Sequence, residues 1–182
     1  MTKLLNLLKS YLNFRNNTFA GYKVIKKNPI DQSKHKYIWQ VADYDLYTGV
    51  RKKIVGNKEI FVGIDFTVDF LKQQNFIYKV LVVSSDNLDA AQIKNSLIDF
   101  FDAVIIVDNL GLDLGSHKAG LKIMCDLYSE VPSFPFVLSN SSFNPIDSKA
   151  INSLLNFSSQ ENVLIGVSYA YGPRYYLLKK MH

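Results

Sequence analysis

From residue 59 onward the chain alternates short apolar runs with amphipathic stretches. The apolar runs, each a predicted strand, are EIFVGI (59–64), YKVLVVSS (78–85), DAVIIVD (102–108), FPFVLSN (134–140) and NVLIGVS (162–168). The spacing of apolar residues between them predicts helices over 67–74, 90–101, 116–130 and 147–157. Strands that are apolar on both faces are typical of a parallel sheet covered by helices. The alternation therefore predicts an α/β fold, with a mostly parallel sheet, flanking helices and right-handed crossovers.

The first 58 residues follow a different pattern. The opening stretch, 1–14, predicts an amphipathic helix with four leucines on one face. This helix either packs on its own domain or lies at a membrane interface, and both interpretations stay open. YKVIKK (22–27) and KYIWQVA (36–42) predict two short strands. We therefore predict a basic N-terminal extension over 1–58 and an α/β domain over 59–182.

Composition and charge limit the class of protein. With 48% hydrophobic and 20% charged residues in 182, the chain is globular rather than disordered. Residues 1–60 carry 12 Lys and Arg against 4 Asp and Glu, whereas 61–182 carry 9 against 12. A single cysteine excludes an internal disulfide framework and a multi-cysteine zinc site. Its position in the apolar pattern of a helix predicts that Cys125 lies in the core.

The sequence also limits the location of the protein and the partners it could bind. No apolar run is long enough to span a membrane, and no small-residue cleavage site follows the first apolar stretch. We therefore expect a cytoplasmic protein, with peripheral contact at the inner face of the membrane through residues 1–20 as a further hypothesis. Aromatic and basic residues interleave over 36–58, but no nucleic-acid motif accompanies them, so nucleic acid is not expected as a partner.

The predicted fold indicates where a ligand would bind. In an open α/β sheet, ligands bind beyond the carboxyl ends of the parallel strands. Asp65 follows the first predicted strand, Ser85 and Asp86 follow the second, and Asn140 ends the fourth. Asp65 is equally explained as the N-cap of the next helix.

The segment after the third predicted strand, DNLGLDLGS (108–116), has the clearest local pattern. Gly111 and Gly115 permit close backbone approach, and Ser116 is the expected N-cap of a helix whose amino end would receive a phosphate. Lys118 would add positive charge in the first turn, and Asp113 would accept a hydrogen bond from a sugar hydroxyl. The spacing matches neither a dinucleotide fingerprint nor a P-loop. His117 is expected on the surface.

Three blocks of this sequence resemble one protein family. NLGLDLGSHKAGL (109–121) resembles the N-x-G-x-D-x-G-x-x-x-x-x-L motif of the rhamnan synthesis protein F-like family, bacterial glycosyltransferase-related proteins of surface-polysaccharide assembly. VLSNSSFNP (137–145) is similar to that family's strand ending in Asn-Asp-Ser, and NVLIGVSYAYGPRYYLLKKM (162–181) is similar to the block that follows it. The resemblance covers 59–181 and implies a GT-A-like nucleotide-sugar-binding fold.

The resemblance also implies a set of site residues. The positions that match the family's motifs are Asn109, Gly111, Asp113, Gly115, Asn140 and Ser142. We expect Lys118 and the helix amide groups to stabilise the departing diphosphate. Asp65 and Asp113 are the candidate bases that would deprotonate the hydroxyl of a glycan or lipid-linked acceptor.

Two departures from the family pattern leave the activity open. Ser141 stands where the family has an aspartate that helps to hold a divalent cation, Mg²⁺ or Mn²⁺, and serine is a poor ligand for such a cation. The last block lacks the family's His-x-Gln-Ser and has 176–179, YLLK, instead. The chain is therefore expected to be a glycosyltransferase, or a catalytically inactive descendant that serves as a binding or scaffolding subunit. A nucleotide-binding regulatory domain is a third interpretation.

Overall fold

The structure is a computed structural model of the chain. It describes residues 21–44, 51–55, 57–88, 93–108, 112–128, 134–141 and 148–158. The strands are β1 (Tyr22–Lys27), β2 (Tyr37–Tyr44), β3 (Arg51–Val55), β4 (Lys58–Val62), β5 (Ile77–Ser85), β6 (Ala103–Asp108) and β7 (Phe136–Asn140). The helices are α1 (Ile64–Leu71), α2 (Asn95–Phe100), α3 (Leu112–Leu127) and α4 (Ser148–Ser158).

Five strands form one sheet, in the order β1-β6-β5-β2-β7. The strands β2, β5, β6 and β7 are parallel, and β1 adds to β6 as an antiparallel edge. Numbered by their order along the chain, the four parallel strands lie across the sheet in the order 3-2-1-4. These are the first four positions of the strand order 3-2-1-4-5-6 of a doubly wound Rossmann sheet, so the expected α/β class with a mostly parallel sheet is confirmed.

The sheet does not follow the predicted division at residue 58. Strand β2 lies between β5 and β7, and β1 forms an edge, so both come from the segment that we expected to be an extension. All but the last residue of β2 are buried, as the centre of a sheet requires. The prediction that 59–64 is a strand of the parallel sheet is wrong, because β4 pairs antiparallel with β3 in a separate two-stranded hairpin.

Helices cover both faces of the sheet. The front face carries α1, α2 and α4, which contribute Val68, Leu71, Leu97 and Leu155 to a core around Trp39. The back face carries α3, which packs Ala119, Ile123 and Met124 against Val80 and Val82. Alternate residues of each strand point to opposite faces of the sheet. Because helices cover both faces, both sets of side chains are buried, and the strands are therefore continuous apolar runs.

A glycine lets α3 approach the sheet closely. A Cβ atom on Gly120 would lie 2.6 Å from Cγ2 of Val82 and 2.8 Å from the side-chain amide of Gln40. A side chain there would require the Val82 and Gln40 side chains to shift or α3 to move away from the sheet. Gly120 therefore places the middle of α3 directly on the two central strands.

Several predictions fall outside the described residues. They concern the leading amphipathic helix in 1–20, the strand 162–168 and the terminal block 162–181. The predicted strands 22–27, 36–42, 78–85, 102–108 and 134–140 are confirmed, with bounds that shift by up to two residues. Cys125 is exposed on α3, so its prediction as a core residue is wrong.

Candidate functional site

Polar side chains gather at the carboxyl ends of the four parallel strands, which we call the carboxyl edge. Its residues are Asp43 and Tyr44 of β2, Ser84 and Ser85 of β5 with Asp86 after it, Asp108 of β6, and Asn140 of β7 with Ser141 after it. The strand register makes Tyr44 a neighbour of Ser84 and Ser85 a neighbour of Asp108, whereas Asn140 pairs with Ala42, two residues before the end of β2.

The order of the strands reverses between β2 and β7. From β2 the chain builds outward to β5 and β6, and it then crosses the back face through α3 to β7 on the other side of β2. Such a reversal opens a crevice beyond the strand ends, where α/β proteins bind their ligands. Asp43 and Ser141 border this point, and both are buried at 1% and 5% exposure. The Ser141 N–H donates to the Ala42 carbonyl at 2.8 Å, so the two strands stay paired up to the edge.

The end of β5 forms a tight turn. The Ser85 hydroxyl donates to the Asn87 carbonyl at 3.0 Å and accepts the Asn87 N–H at 3.2 Å. Asp86 stands exposed at the tip, and its carboxylate accepts the Tyr44 hydroxyl at 3.2 Å. Of the two residues expected to bind here, Ser85 shapes the turn and Asp86 presents a carboxylate to solvent.

Asp108 ends β6 beside the first described residue of the chain. Its N–H donates to the Gly21 carbonyl at 3.3 Å, and a Cβ on Gly21 would lie 3.7 Å from the Asp108 carboxylate. The half-buried carboxylate of Asp108 therefore lies where the edge strand β1 begins. Asn109 and Gly111, which the resemblance implies as site residues, lie outside the described residues, as does Ser142.

The predicted glycine loop is partly helical. Helix α3 begins at Leu112, so Asp113 lies in its first turn and Gly115 inside the helix. The prediction that Ser116 is the N-cap is wrong, since Ser116 is a buried residue of the helix. Lys118 lies in the second turn rather than the first, and it is exposed. Only three residues separate β6 from α3, so the amino end of α3 remains close to the carboxyl edge.

His117 is buried, and its prediction as a surface residue is wrong. It is 8% exposed, and its Nδ1 atom lies 3.0 Å from Nε2 of Gln40. The same Gln40 amide donates to the His117 carbonyl at 3.1 Å. Because Nδ1 accepts this hydrogen bond, the ring and backbone of His117 join α3 to the central strand β2. The pair lies on the back face of the sheet, and Gln40 stands four residues before the end of β2.

Asp65 does not follow a strand of the main sheet. It lies exposed in the first turn of α1, where Gly63 occupies the N-cap position, so Asp65 is not the N-cap either. A carboxylate there interacts favourably with the positive end of the helix dipole. The structure thus places Ser85 and Asp86 at the end of β5 and Asn140 on the other side of β2, with Asp113 three residues and one helix position beyond β6, and leaves Asp65 in α1, outside the sheet.

Among the residues that the structure describes, no three His, Cys, Asp or Glu side chains come together in a group that could hold a metal ion. Ser141, at the position where the resemblance implies an acidic ligand, is buried beside Ala42.

Sequence reasoning missed Asp43 and Tyr44. Both directly follow the apolar run KYIWQVA, the strand that turns out to be central. The signal was present, because they are the first polar residues after a strand. They lie within 1–58, the segment that is predicted to be an extension outside the α/β domain.

Comparison with protein-family models, with curated proteins and with solved structures finds no significant match for this chain. The fold and the edge define its class, a Rossmann-like α/β protein with a polar carboxyl edge. In the part of the chain that the structure describes, no helix has the length and apolar character needed to cross a membrane.

Proposed function

We propose that this protein binds a nucleotide-sugar donor at the carboxyl edge and transfers the sugar to a glycan or lipid-linked acceptor in bacterial surface-polysaccharide synthesis. One observation carries the proposal: hydroxyl, amide and carboxylate groups meet at the strand reversal between β2 and β7. The resemblance of 109–121 to the rhamnan synthesis protein F-like family supports it independently, and it implies the GT-A variant of the fold.

The amino end of α3 and the strand ends bind different parts of the donor. The N–H groups at the amino end of a helix attract a diphosphate. We therefore assign the diphosphate to the amino end of α3, with Lys118 as the nearby cation in the second turn; the first turn also carries Asp113, the candidate base. Asp86 and Asp108 accept hydrogen bonds from hydroxyl groups of the ribose or sugar, and Asn140 contacts the donor from the β7 side.

The transfer needs a base and a leaving-group stabiliser. An acceptor oxygen attacks the anomeric carbon, the bond from this carbon to the diphosphate oxygen breaks, and the acceptor's proton passes to a carboxylate. The diphosphate leaves with the electron pair of the broken bond, and the helix amides stabilise its charge. Asp113 is the favoured base because α3 begins near the edge, and Asp65 is the second candidate.

The alternative is a catalytically inactive descendant that binds the donor without turning it over. Ser141 favours this alternative, since the position lacks the carboxylate that the resemblance implies. Both candidates share the donor site and differ only in turnover.

Titration with a panel of nucleotide sugars tests the shared site. We expect at least one donor to bind, and we expect Asp86→Asn and Asn140→Ala each to weaken its binding about tenfold, as loss of a hydrogen bond to a ligand does. Asp69→Asn is the matched control, because Asp69 is an exposed carboxylate of α1 that pairs with Lys72 at 2.9 Å. If no donor binds, the proposed function is wrong.

Release of nucleoside diphosphate separates the two candidates. An active enzyme releases it in the presence of acceptor, and Asp113→Asn abolishes the release while donor binding is retained. The inactive alternative predicts that the donor binds but that no nucleoside diphosphate is released. It also predicts that release appears in the variant Ser141→Asp.

A further inference from the structure

Gln40 is a polar residue at the centre of the sheet. It stands in the middle of β2 and is 0% exposed. Its side chain points to the back face, where the core cluster consists of apolar and aromatic side chains from β2, β5, β6 and α3. Burying an amide group in such a core costs free energy unless its polar atoms are hydrogen-bonded.

The Gln40 amide directs both of its hydrogens at one residue of α3. Nε2 donates to Nδ1 of His117 at 3.0 Å and to the His117 carbonyl at 3.1 Å. The Oε1 atom of Gln40 accepts no hydrogen bond from the residues that the structure describes. An apolar pair of the same size would fill this space without an unsatisfied oxygen, and such replacements are often neutral or stabilising. Stability therefore does not explain why a polar pair lies here.

The pair restricts how α3 can lie on the sheet. His117 and Gly120 are three residues apart and therefore share one face of the helix. A Cβ atom on Gly120 would lie 2.8 Å from both Nε2 and Oε1 of Gln40, so the amide lies directly against the helix backbone. Apolar contacts such as those of Ile123 and Met124 are not directional and permit a helix to slide or rotate. Hydrogen bonds are directional, and a displacement of α3 by one residue would break both of those from Gln40.

The position of α3 determines where its amino end lies. His117 is in the second turn, and about 7.5 Å of helix separates it from Leu112, where α3 begins. The proposed function places the diphosphate at this amino end and a candidate base, Asp113, in the first turn. A shift of α3 by one residue would move these groups by about 1.5 Å and turn them by about 100°. A misplacement of about 1 Å is enough to slow a reaction about a hundredfold.

We propose that Gln40 and His117 are positioning residues, which fix the register of α3 on the sheet and so hold its amino end at the carboxyl edge. The role of this amino end in donor binding rests on the proposed function, whereas the register is a property of the free protein. The register and the donor affinity can therefore be measured separately.

Pulsed electron paramagnetic resonance measures the register without a donor. One spin label is attached to Cys125, the only cysteine of the chain, which is exposed on α3. The other is attached to the exposed position on α1 that Asp69→Cys provides, across the sheet. In the double variant Gln40→Met with His117→Leu, the distribution of distances between the labels should shift or widen by at least about 1.5 Å, the rise of one helix residue. The free energy of unfolding of this variant should equal or exceed that of the unaltered chain.

Two further variants serve as controls. His117→Asn keeps a side-chain acceptor near the position of Nδ1, so it should retain the distance distribution of the unaltered chain. Met124→Leu changes the packing of α3 on the sheet without removing either hydrogen bond, and it should also leave the distribution unchanged. Circular dichroism verifies that each variant folds.

Donor titration tests the effect of the register on the site. With a nucleotide sugar that the unaltered chain binds, the double variant should bind at least about tenfold more weakly, and the two controls should bind normally. The inference is overturned if the double variant keeps the original distance distribution or the original donor affinity. It is also overturned if this variant fails to fold, because the pair would then be required for the fold as a whole. If the distances change as expected but the unaltered chain binds no donor, the proposed function alone is wrong.

Discussion

His35 is buried just before β2, at the edge of the sheet opposite the carboxyl edge. It is 6% exposed, and its ring meets the ring of Tyr78 edge-on, with 5.3 Å between centroids. Its Nδ1 atom accepts the Asp31 N–H at 3.2 Å. Burial lowers the pKa of His35, and the attraction of the Asp102 carboxylate offsets this only in part. The folded chain therefore prefers the neutral imidazole.

This preference makes stability depend on pH. In the unfolded chain, His35 takes up a proton near its ordinary pKa of 6.5, whereas the folded chain resists protonation to lower pH. The unfolded state then binds more protons, so the free energy of unfolding decreases as pH falls below about 6.5. We expect His35 to contribute a loss of up to about 1.4 kcal/mol by pH 5.5.

Urea unfolding at pH 7.5, 6.5 and 5.5 measures this loss. The variant His35→Gln keeps an acceptor for the Asp31 N–H but cannot titrate, so its free energy of unfolding should decrease less over this range. Equal pH dependence in the two proteins would contradict the prediction.

Single residues also show what the sequence could have revealed. Gln40 interrupts an otherwise apolar strand, and a polar side chain in a buried strand needs a buried partner. Gln40 is therefore expected to have a polar partner on a helix of the back face, and this partner is His117. The sequence does not identify the partner residue, because the contact depends on how closely Gly120 lets α3 approach β2.

At the scale of elements, β1 anchors two helices on opposite faces. The Lys26 ammonium group donates to the carbonyls of Ile98 and Asp99, both at 2.9 Å, at the end of α2. The Lys27 ammonium group donates to the Leu127 carbonyl at the end of α3 and lies 4.7 Å from the Tyr128 ring centroid. Consecutive strand residues point to opposite faces, so one strand supplies a positive charge to the carboxyl end of each helix.

Removing either charge should destabilise the fold. We expect Lys26→Met and Lys27→Met each to lower the free energy of unfolding by about 1 kcal/mol, since each loses a favourable interaction with a helix carboxyl end. The double variant should lose about the sum, because the two sites lie on different faces.

Chemical denaturation of the three variants measures these losses. Lys72→Met is the control, since its exposed ion pair with Asp69 should be worth only a few tenths of a kcal/mol. A loss no greater than in this control would show that the lysines do not stabilise the helix ends.

Two elements differ from their prediction for reasons of tertiary structure. An apolar run such as EIFVGI predicts that a strand forms but not which strand it pairs with. The strand β4 pairs with β3 rather than with a strand of the main sheet. Helix α3 includes Gly115 and starts four residues early, although glycine disfavours helices. Packing of α3 against β2 and β5 outweighs this local preference.

For the whole molecule, periodicity predicted the class of fold but not the centre of the sheet. The charge difference between the two ends of the chain suggested a boundary near residue 58, and charge depends on the surface rather than the core. The informative feature was the apolar run around Trp39, whose length and burial match a central strand. Which strands pair with it depends on long-range contacts that one sequence does not reveal.

The central position of β2 predicts that 59–182 cannot fold alone. Without β2, strands β5 and β7 would both lose their shared neighbour, and their backbone groups would be left unpaired. The front core would lose Trp39, and α4 would lose the hydrogen bond from the Tyr37 hydroxyl to the Leu155 carbonyl at 2.9 Å. We expect the fragment 59–182 to show weak far-ultraviolet circular dichroism and no cooperative unfolding.

The full chain provides the comparison, because Trp39 is its only tryptophan and lies buried at the centre of the sheet. Its fluorescence should report the same urea midpoint as circular dichroism, since β2 and the helices that cover it form one cooperative unit. If the fragment instead unfolds in a cooperative transition, β2 is dispensable and residues 59–182 form an independent domain. If the fluorescence and circular dichroism midpoints of the full chain differ, the first two strands and the rest of the chain unfold as separate units.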